Sequence, residues 1–485
     1  LVSEFTKIAF VPVFVPIHVQ NLDLKFMSEV SFSDEKYLFD PSHVNHRSGG
    51  AAIPTIFAFP NTYSVGITSL GFQVIWAKLA LHPAIAVSRL FLDAQETLPR
   101  RPELLGFSFS WELDYANILA LLAQLGIPLL ARERQQADAL YPLVFGGGPV
   151  LTANPEPYAD FFDVILLGDG EELLDEFIEG YQSVRGATRL AQLSSLATIP
   201  GVYVPALYEV SYQSPTGAIA AISPTHVQAP LPILKRTYRG NQLLASTVVT
   251  PQAAWENIYM VEVVRSCPEM CRFCLASYLT LPFRSPSVND SLIPAIERGL
   301  AVTQRIGLLG ASVTQHPQFE ELLAYFADPR REQVRLSLAS VRTNTVTPRL
   351  ATTLAQRGSR SITIAIESGS ERLRQIINKK LENAEILAAA SHAKTGGLSG
   401  IKFYGMVGLP GETATDLEAT VDLFVQLKRQ VPGLRFTFGC SSFVPKAHTP
   451  FQWYGMNPVA EKRLQIFQKK LRPLGVDFRP ESYNW

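Results

Sequence analysis

An apolar run at residues 259–264 feeds directly into Arg265-Ser266-Cys267-Pro268-Glu269-Met270-Cys271-Arg272-Phe273-Cys274, where three of the chain's four cysteines fall within eight residues. No other stretch restricts the chain so much, because a strand must deliver this loop and the loop must bring three thiols to one place. The spacing is C-x3-C-x2-C. Three thiolates from one loop can hold three corners of a cubane [4Fe-4S] cluster and leave the fourth iron without a protein ligand. A closed electron-carrier cluster wants a fourth cysteine, and tetrahedral zinc wants four donors. The remaining cysteine, Cys440, lies far along the chain, and His226 and His316 are the nearest histidines in sequence. On spacing alone, zinc binding and three unrelated buried thiols stay as alternatives.

Around this loop the chain reads as α/β throughout. Strands are expected at 55–59, 86–92, 104–109, 143–145 and 164–167, with helices at 70–81 and 114–125 between them. The last two strands run into Gly146-Gly147-Gly148-Pro149 and Gly168-Asp169-Gly170-Glu171-Glu172. Strands that alternate with helices and end in such turns predict a doubly wound parallel sheet, whose ligand sits beyond the strand carboxyl ends. Neither turn is a dinucleotide fingerprint or a phosphate loop. Glycine allows a flat ligand to approach the backbone, so Gly147, Gly148, Gly168 and Gly170 are candidate contacts. The plain alternative is that they make tight strand-to-helix turns.

From 258 the rhythm resumes with longer spacing. Strands are expected at 259–264, 306–309, 334–338, 362–366, 401–407 and 435–438, with helices such as 287–298, 319–326, 371–378, 384–394 and 415–428. Six β/α units predict an incomplete (β/α)6 barrel of the TIM type, in which reactive groups lie at strand carboxyl ends. The expected organisation is an N-terminal arm at 1–51, a Rossmann-like domain at 52–182 and a connector of short β structure at 183–255. The barrel follows at 256–456, then a C-terminal helix and tail at 457–485.

At 485 residues, with 47% hydrophobic and 18% charged, the chain can bury large parallel sheets. Lys+Arg and Asp+Glu are both 43, so no general attraction to nucleic acid or to a membrane surface follows. The apolar stretch at 8–19 is broken by Pro12 and Pro16, too short for a span, and reads as a buried strand or extended arm. Four cysteines, three in one loop, exclude a disulfide framework and point to a reducing cytoplasm.

The cysteine spacing resembles that of the radical S-adenosylmethionine (radical SAM) enzymes. The resemblance implies that SAM chelates the open iron and that the reduced cluster cleaves it to a 5'-deoxyadenosyl radical. It also implies where SAM is held. Phe273 precedes the third cysteine. Gly310 and Ser312 stand where the superfamily has a G-G-E-like segment, although the acidic residue is missing here. Ser340 and Arg342 follow the third strand. Glu367-Ser368-Gly369-Ser370 is similar to the E-S-G-S segment of cobalamin-type radical SAM proteins, so Glu367 or Ser368 contacts SAM and Arg374 meets its carboxylate. Gly408, in Gly405-Met406-Val407-Gly408-Leu409-Pro410-Gly411-Glu412-Thr413, lies beside adenine. His448, in the aromatic stretch after the sixth strand, reads as a loop donor or an acid–base group.

Further segments resemble the radical SAM proteins that carry an N-terminal cobalamin-binding-like domain: Phe107-Ser108-Phe109-Ser110-Trp111-Glu112-Leu113-Asp114-Tyr115, Asn154-Pro155-Glu156-Pro157 and both glycine turns. No D-x-H-x-x-G motif is present, which leaves cobalamin open as a third cofactor beside the cluster and SAM. The implied activity is radical chemistry on an unknown substrate, extending to methylation if cobalamin binds, with electrons from a flavodoxin- or ferredoxin-type donor. The competing readings are a methylthiotransferase-like modifier of RNA or protein, for which too few cysteines remain to hold a second cluster, and a redox-sensing cluster protein without turnover.

Overall fold

A computed structural model describes residues 32–40, 52–136, 141–214, 217–339 and 341–481. Most of the expected N-terminal arm, including 8–19, lies outside the described residues, as does Ser340. The chain forms two compact units: the first closes at Tyr238, and the second takes Asp34–Phe39 and everything from Arg239.

The first unit is built on strands β1 (Ile53–Ala58), β2 (Ile85–Leu90), β3 (Leu104–Ser108), β4 (Leu143–Gly147), β5 (Val164–Leu166) and β6 (Val202–Tyr203). Their order is β2-β1-β3-β4-β5-β6, parallel except for β6. The central strands are buried on both faces, which is why they read as apolar runs. Helices α1 (Leu70–Leu81), α2 (Tyr115–Gln124) and α3 (Gly170–Ser183) cover them, with Phe72 of α1 stacked on Phe57 of β1 at 5.0 Å. The order 2-1-3-4-5 puts the topological switch between β1 and β3. Asn61 Nδ2 donates to Asp114 Oδ1 across that point at 2.9 Å.

One expectation is corrected here. The glycine turns after β4 and β5 are not gaps for a flat ligand. A Cβ on Gly168 would stand 2.0 Å from the Arg236 carbonyl oxygen, and Asp169 binds the same segment through its N–H to Arg236 O (3.0 Å) and its carboxylate to the Tyr238 N–H (2.9 Å). A Cβ on Gly148 would meet Phe109 O at 2.5 Å, and one on Gly170 would meet Ile75 at 2.8 Å; only Gly147 has its neighbours at ordinary distance. The stretch 183–255, expected as a connector of short β structure, has such strands and a helix besides. It carries α4 (Arg189–Leu196), started by the Thr188 side chain, then β6, which extends the sheet, and a hairpin of β7 (Tyr208–Tyr212) and β8 (Ile219–Pro224).

The second unit contains β9 (Ile258–Glu262), β10 (Arg305–Leu309), β11 (Arg335–Leu338), β12 (Ser361–Glu367), β13 (Gly400–Val407), β14 (Arg435–Ser442) and β15 (Asp477–Pro480). All pair in parallel and in chain order, as a stretch β9-β10-β11 and a stretch β12-β13-β14-β15. Between the two, the Val341 N–H bonds Thr363 O at 3.0 Å. The tail expected after the barrel instead supplies β15, a seventh strand. Helices separate the strands: α5 (Leu275–Leu279), α6 (Ile293–Leu300), α7 (Phe319–Ala327), α8 (Pro348–Gln356), α9 (Glu371–Ile376), α10 (Asn383–Thr395), α11 (Ala414–Gln430) and α12 (Ala460–Leu471). The free side of β9 is covered by its own chain, with Ser246 N–H on Met260 O (2.9 Å) and Glu262 N–H on Leu244 O (2.8 Å).

Candidate cluster site at the end of β9

β9 ends at Glu262 and drives Val263 and Val264 into the core before the chain turns out into the cysteine loop. The loop is strained: Ser266 (φ 71°) and Met270 (φ 53°) are non-glycine residues in the left-handed region, a cost of about 1–3 kcal/mol each. Contacts from distant parts of the chain over-determine it. Tyr278 Oη donates to Met270 O at 3.0 Å, and Asn378 Nδ2 reaches Met270 O (2.8 Å) and Glu269 O (3.2 Å). The Arg272 N–H and Nη1 bond the carbonyls of Ile377 and Ile376, and Arg272 O accepts from the Phe451 N–H. Phe273 packs on a cluster of Leu373, Ile377, Leu409, Phe443 and Phe451, so it seats the loop.

All four cysteines are free thiols. Burial pushes the Cys271 thiol up to about 11, with the Lys379 ammonium pulling against it. Burial also raises Cys274, and the backbone N–H groups of Ala276 and Ser277, in the first turn of α5, pull the other way. Thiolates this buried are expensive unless a cation compensates them, and a coordinating metal supplies that cation while displacing the proton. The donor set therefore fits a metal–sulfur group. Among the described residues no three His, Cys, Asp or Glu side chains converge as on a single ion; a cubane takes its thiolates at separate iron corners and asks for no such convergence.

Around the loop runs a charged shell. Ser312 Oγ binds Gln315 Oε1, Gln315 Nε2 donates to Glu269 Oε1 at 2.5 Å, and Glu269 Oε2 pairs with Arg342 at 3.0 Å. Arg342 also donates to Lys379 O (2.9 Å) and Lys380 O (3.2 Å). Lys379 Nζ in turn pairs with Glu367 at 3.0 Å, where a bulge in β12 holds Glu367 at φ 64°. Gly310 (φ 146°) lies on Val264, whose carbonyl oxygen would be 2.6 Å from any Cβ there. The structure thus gathers Gly310, Ser312, Arg342 and Glu367 about the cysteine loop. It adds Glu269, Gln315, Asn378 and Lys379, which sequence reasoning missed because their partners lie 12–109 residues away.

Other expected contacts have different work. Arg374 is fully buried, its Nε on Leu381 O (2.7 Å), Nη1 on Ser368 O (2.5 Å) and Nη2 on Asn383 Oδ1 (2.7 Å). It ties the segment after β12 together, and the expectation that it meets a SAM carboxylate is corrected. Ser368 Oγ is likewise turned inward, accepting from the Ser370 N–H (3.1 Å) beside Thr420 Oγ1. Gly408 donates its N–H to Glu412 at 2.5 Å and packs under Ala460. His448 takes φ 65°, its backbone N–H donating to Gln452 Oε1 (3.1 Å).

The chain is similar to several known proteins. An uncharacterised protein of Methanocaldococcus jannaschii is 26% identical over 429 residues, covering 88% of this chain and 85% of its own. A tRNA-2-methylthio-N(6)-dimethylallyladenosine synthase of Wolbachia is 24% identical over 229 residues, 45% of this chain and 51% of its own. The fold is similar to that of TsrM, a radical S-adenosylmethionine methyltransferase from Kitasatospora setae solved with cobalamin and a [4Fe-4S] cluster: TM-score 0.57, 15% identity, 83% of this chain and 74% of that one. No helix among the described residues is long and apolar enough to cross a membrane. Residues 86–205 match the family described as radical SAM proteins, N-terminal, and residues 261–424 match the radical SAM superfamily, whose segment begins within β9 and takes in the three cysteines. The two matches cover more than half of the chain, which belongs to the radical SAM superfamily.

Proposed function

We propose that this radical SAM enzyme is a methyltransferase that binds cobalamin in its first unit and acts on a substrate yet to be identified. The observation that carries the reading is the braced three-thiol loop at the carboxyl end of β9, with Cys440 placed on β14 as the one cysteine left over. Cys267, Cys271 and Cys274 would hold a [4Fe-4S] cluster. When bound, the cluster supplies the electron that opens the SAM sulfonium, and a flavodoxin- or ferredoxin-type donor returns it.

The chain's own groups divide the work of holding SAM. Arg342 would present a guanidinium to its carboxylate, and Glu367 with the carbonyls beside Gly310 and Ser312 would face its ammonium. For cobalamin the support is the doubly wound unit and the TsrM fold. The glycine turns are filled, so the residues that would hold a corrin are those at the β1/β3 switch: Asn61, Trp111 and Asp114. Asp114 is 6% exposed and its Oδ2 has no partner among the described residues, while Trp111 and Leu113 nearby are each 63% exposed. A buried acceptor beside exposed apolar side chains suits a flat ligand that carries amide donors. Too few cysteines remain for the second cluster a methylthiotransferase brings.

Two measurements test the reading. Dithionite-reduced, cluster-loaded protein turns SAM over to 5'-deoxyadenosine and, with substrate in cell extract, S-adenosylhomocysteine. If neither forms while SAM is bound to a reduced cluster, the redox-sensor reading takes its place. Hydroxocobalamin binds the chain at micromolar concentration, and Trp111→Ala weakens that binding about tenfold, the equivalent of about 1.4 kcal/mol. A chain that binds no corrin loses the methyltransferase reading and keeps its superfamily.

A further inference from the structure

We propose that Lys379 is the fixed counter-charge of the cysteine centre and that its pairing with Glu367 sets how readily the cluster takes an electron. This rests on the reading of Cys267, Cys271 and Cys274 as cluster ligands.

The lysine is held by an unusual number of restraints for a residue in a turn. Its N–H bonds Arg374 O at 2.8 Å, and Arg342 clamps its carbonyl and that of Lys380. The residues on either side, Asn378 (φ 56°) and Lys380 (φ 47°), both sit in the left-handed region, and Asn378 is itself hydrogen-bonded to the cysteine loop. Two strained residues flanking one lysine cost stability, and such strain persists where a side chain must be aimed. The side chain is 13% exposed and its Nζ meets Glu367 Oε1 at 3.0 Å.

The turn that carries the lysine lies against the cysteine loop: Asn378 Nδ2 donates to Met270 O and Glu269 O, and Arg342 joins Lys379 O to the Glu269 carboxylate. The Glu367 carboxylate, 3.0 Å away, holds the Lys379 side chain as an ammonium against the burial that opposes it. A cluster on three thiolates becomes more negative by one when it accepts an electron from a flavodoxin- or ferredoxin-type donor. In a low-dielectric site a fixed positive charge favours that reduced state, and net charge is one of the levers by which proteins set cluster potentials. Lys379 acts through the cluster as a positioning residue.

The experiment is a dye-mediated redox titration of the reconstituted full chain, followed by the paramagnetic resonance of the reduced cluster and run without SAM. Lys379→Met is expected to move the midpoint to lower potential and Lys379→Arg to keep it near wild type. Glu367→Gln removes the opposing charge and moves the midpoint upward. A merely structural brace would shift the Met and Gln variants in the same direction or leave both unmoved, and either result overturns the proposal. Should Lys379→Met fail to hold a cluster, the sign for Glu367→Gln decides alone, and anything other than a rise overturns it. A wild-type chain that assembles no [4Fe-4S] cluster removes the underlying reading instead, and is recognised by its absorption spectrum before any titration.

Discussion

Cys271→Ala leaves the chain folded but without its cluster: bound iron and acid-labile sulfide fall to background and SAM cleavage is lost with them. Cys267→Ala and Cys274→Ala do the same, because a cubane gripped at two corners has two irons exposed to solvent. Cys271 is the most telling of the three, being the most deeply buried of them at 6% exposure. Without a metal its side chain is a protonated core group, so its removal disturbs packing little while removing an essential ligand. Cys440→Ala is the control. Cys440 lies on β14 at 1% exposure, where burial keeps its thiol protonated, and its iron content is expected to match wild type. An intact cluster in Cys271→Ala, or a lost one in Cys440→Ala, would overturn the assignment of ligands.

The sequence made the α/β rhythm readable because parallel strands buried on both faces leave apolar runs. Six expected strands of the second unit match β9 to β14 to within a few residues. β15 went unseen because Asp477-Phe478-Arg479-Pro480 has one core-facing residue and ends in proline, which an edge strand tolerates. The cysteines were legible because ligation demands a side-chain type at a spacing. Arg374 was expected at a SAM carboxylate because it lies one helical turn after Glu367-Ser368-Gly369-Ser370; instead the Ser368 and Leu381 carbonyls draw it in as their donor. The glycine turns were misread for a related reason. Close backbone approach was correctly inferred, but at Gly168 the approaching group is Arg236 of the same chain, 68 residues on, and no local pattern announces a partner that far away.

Arg463→Met is expected to destabilise the second unit by about 3–5 kcal/mol at neutral pH, the usual consequence of stranding a buried charge. The charge is Glu412, whose side chain is 3% exposed. Its Oε2 accepts from the Gly408 N–H and from Arg463 Nη1, both at 2.5 Å, and its carbonyl accepts from Arg463 Nη2 at 3.1 Å. These bonds pin the turn after β13 to α12. Burial already lifts the Glu412 carboxyl above its ordinary value, while Gly408 and Arg463 hold it down. Without Arg463 the folded-state value rises further. A folded pKa above the unfolded one gives stability that is present in acid and lost as pH rises through the folded value. The deficit of the variant is therefore present at pH 7 and shrinks as pH falls into the ordinary carboxylate range, where the unfolded chain is protonated too. Adding Glu412→Gln should recover much of the loss, because the amide oxygen still accepts from Gly408 and no charge is left unpaired. Urea midpoints at pH 7 and pH 5 decide it. A small deficit that is the same at both would mean that the carboxylate is solvated and that packing alone holds the Gly408 turn.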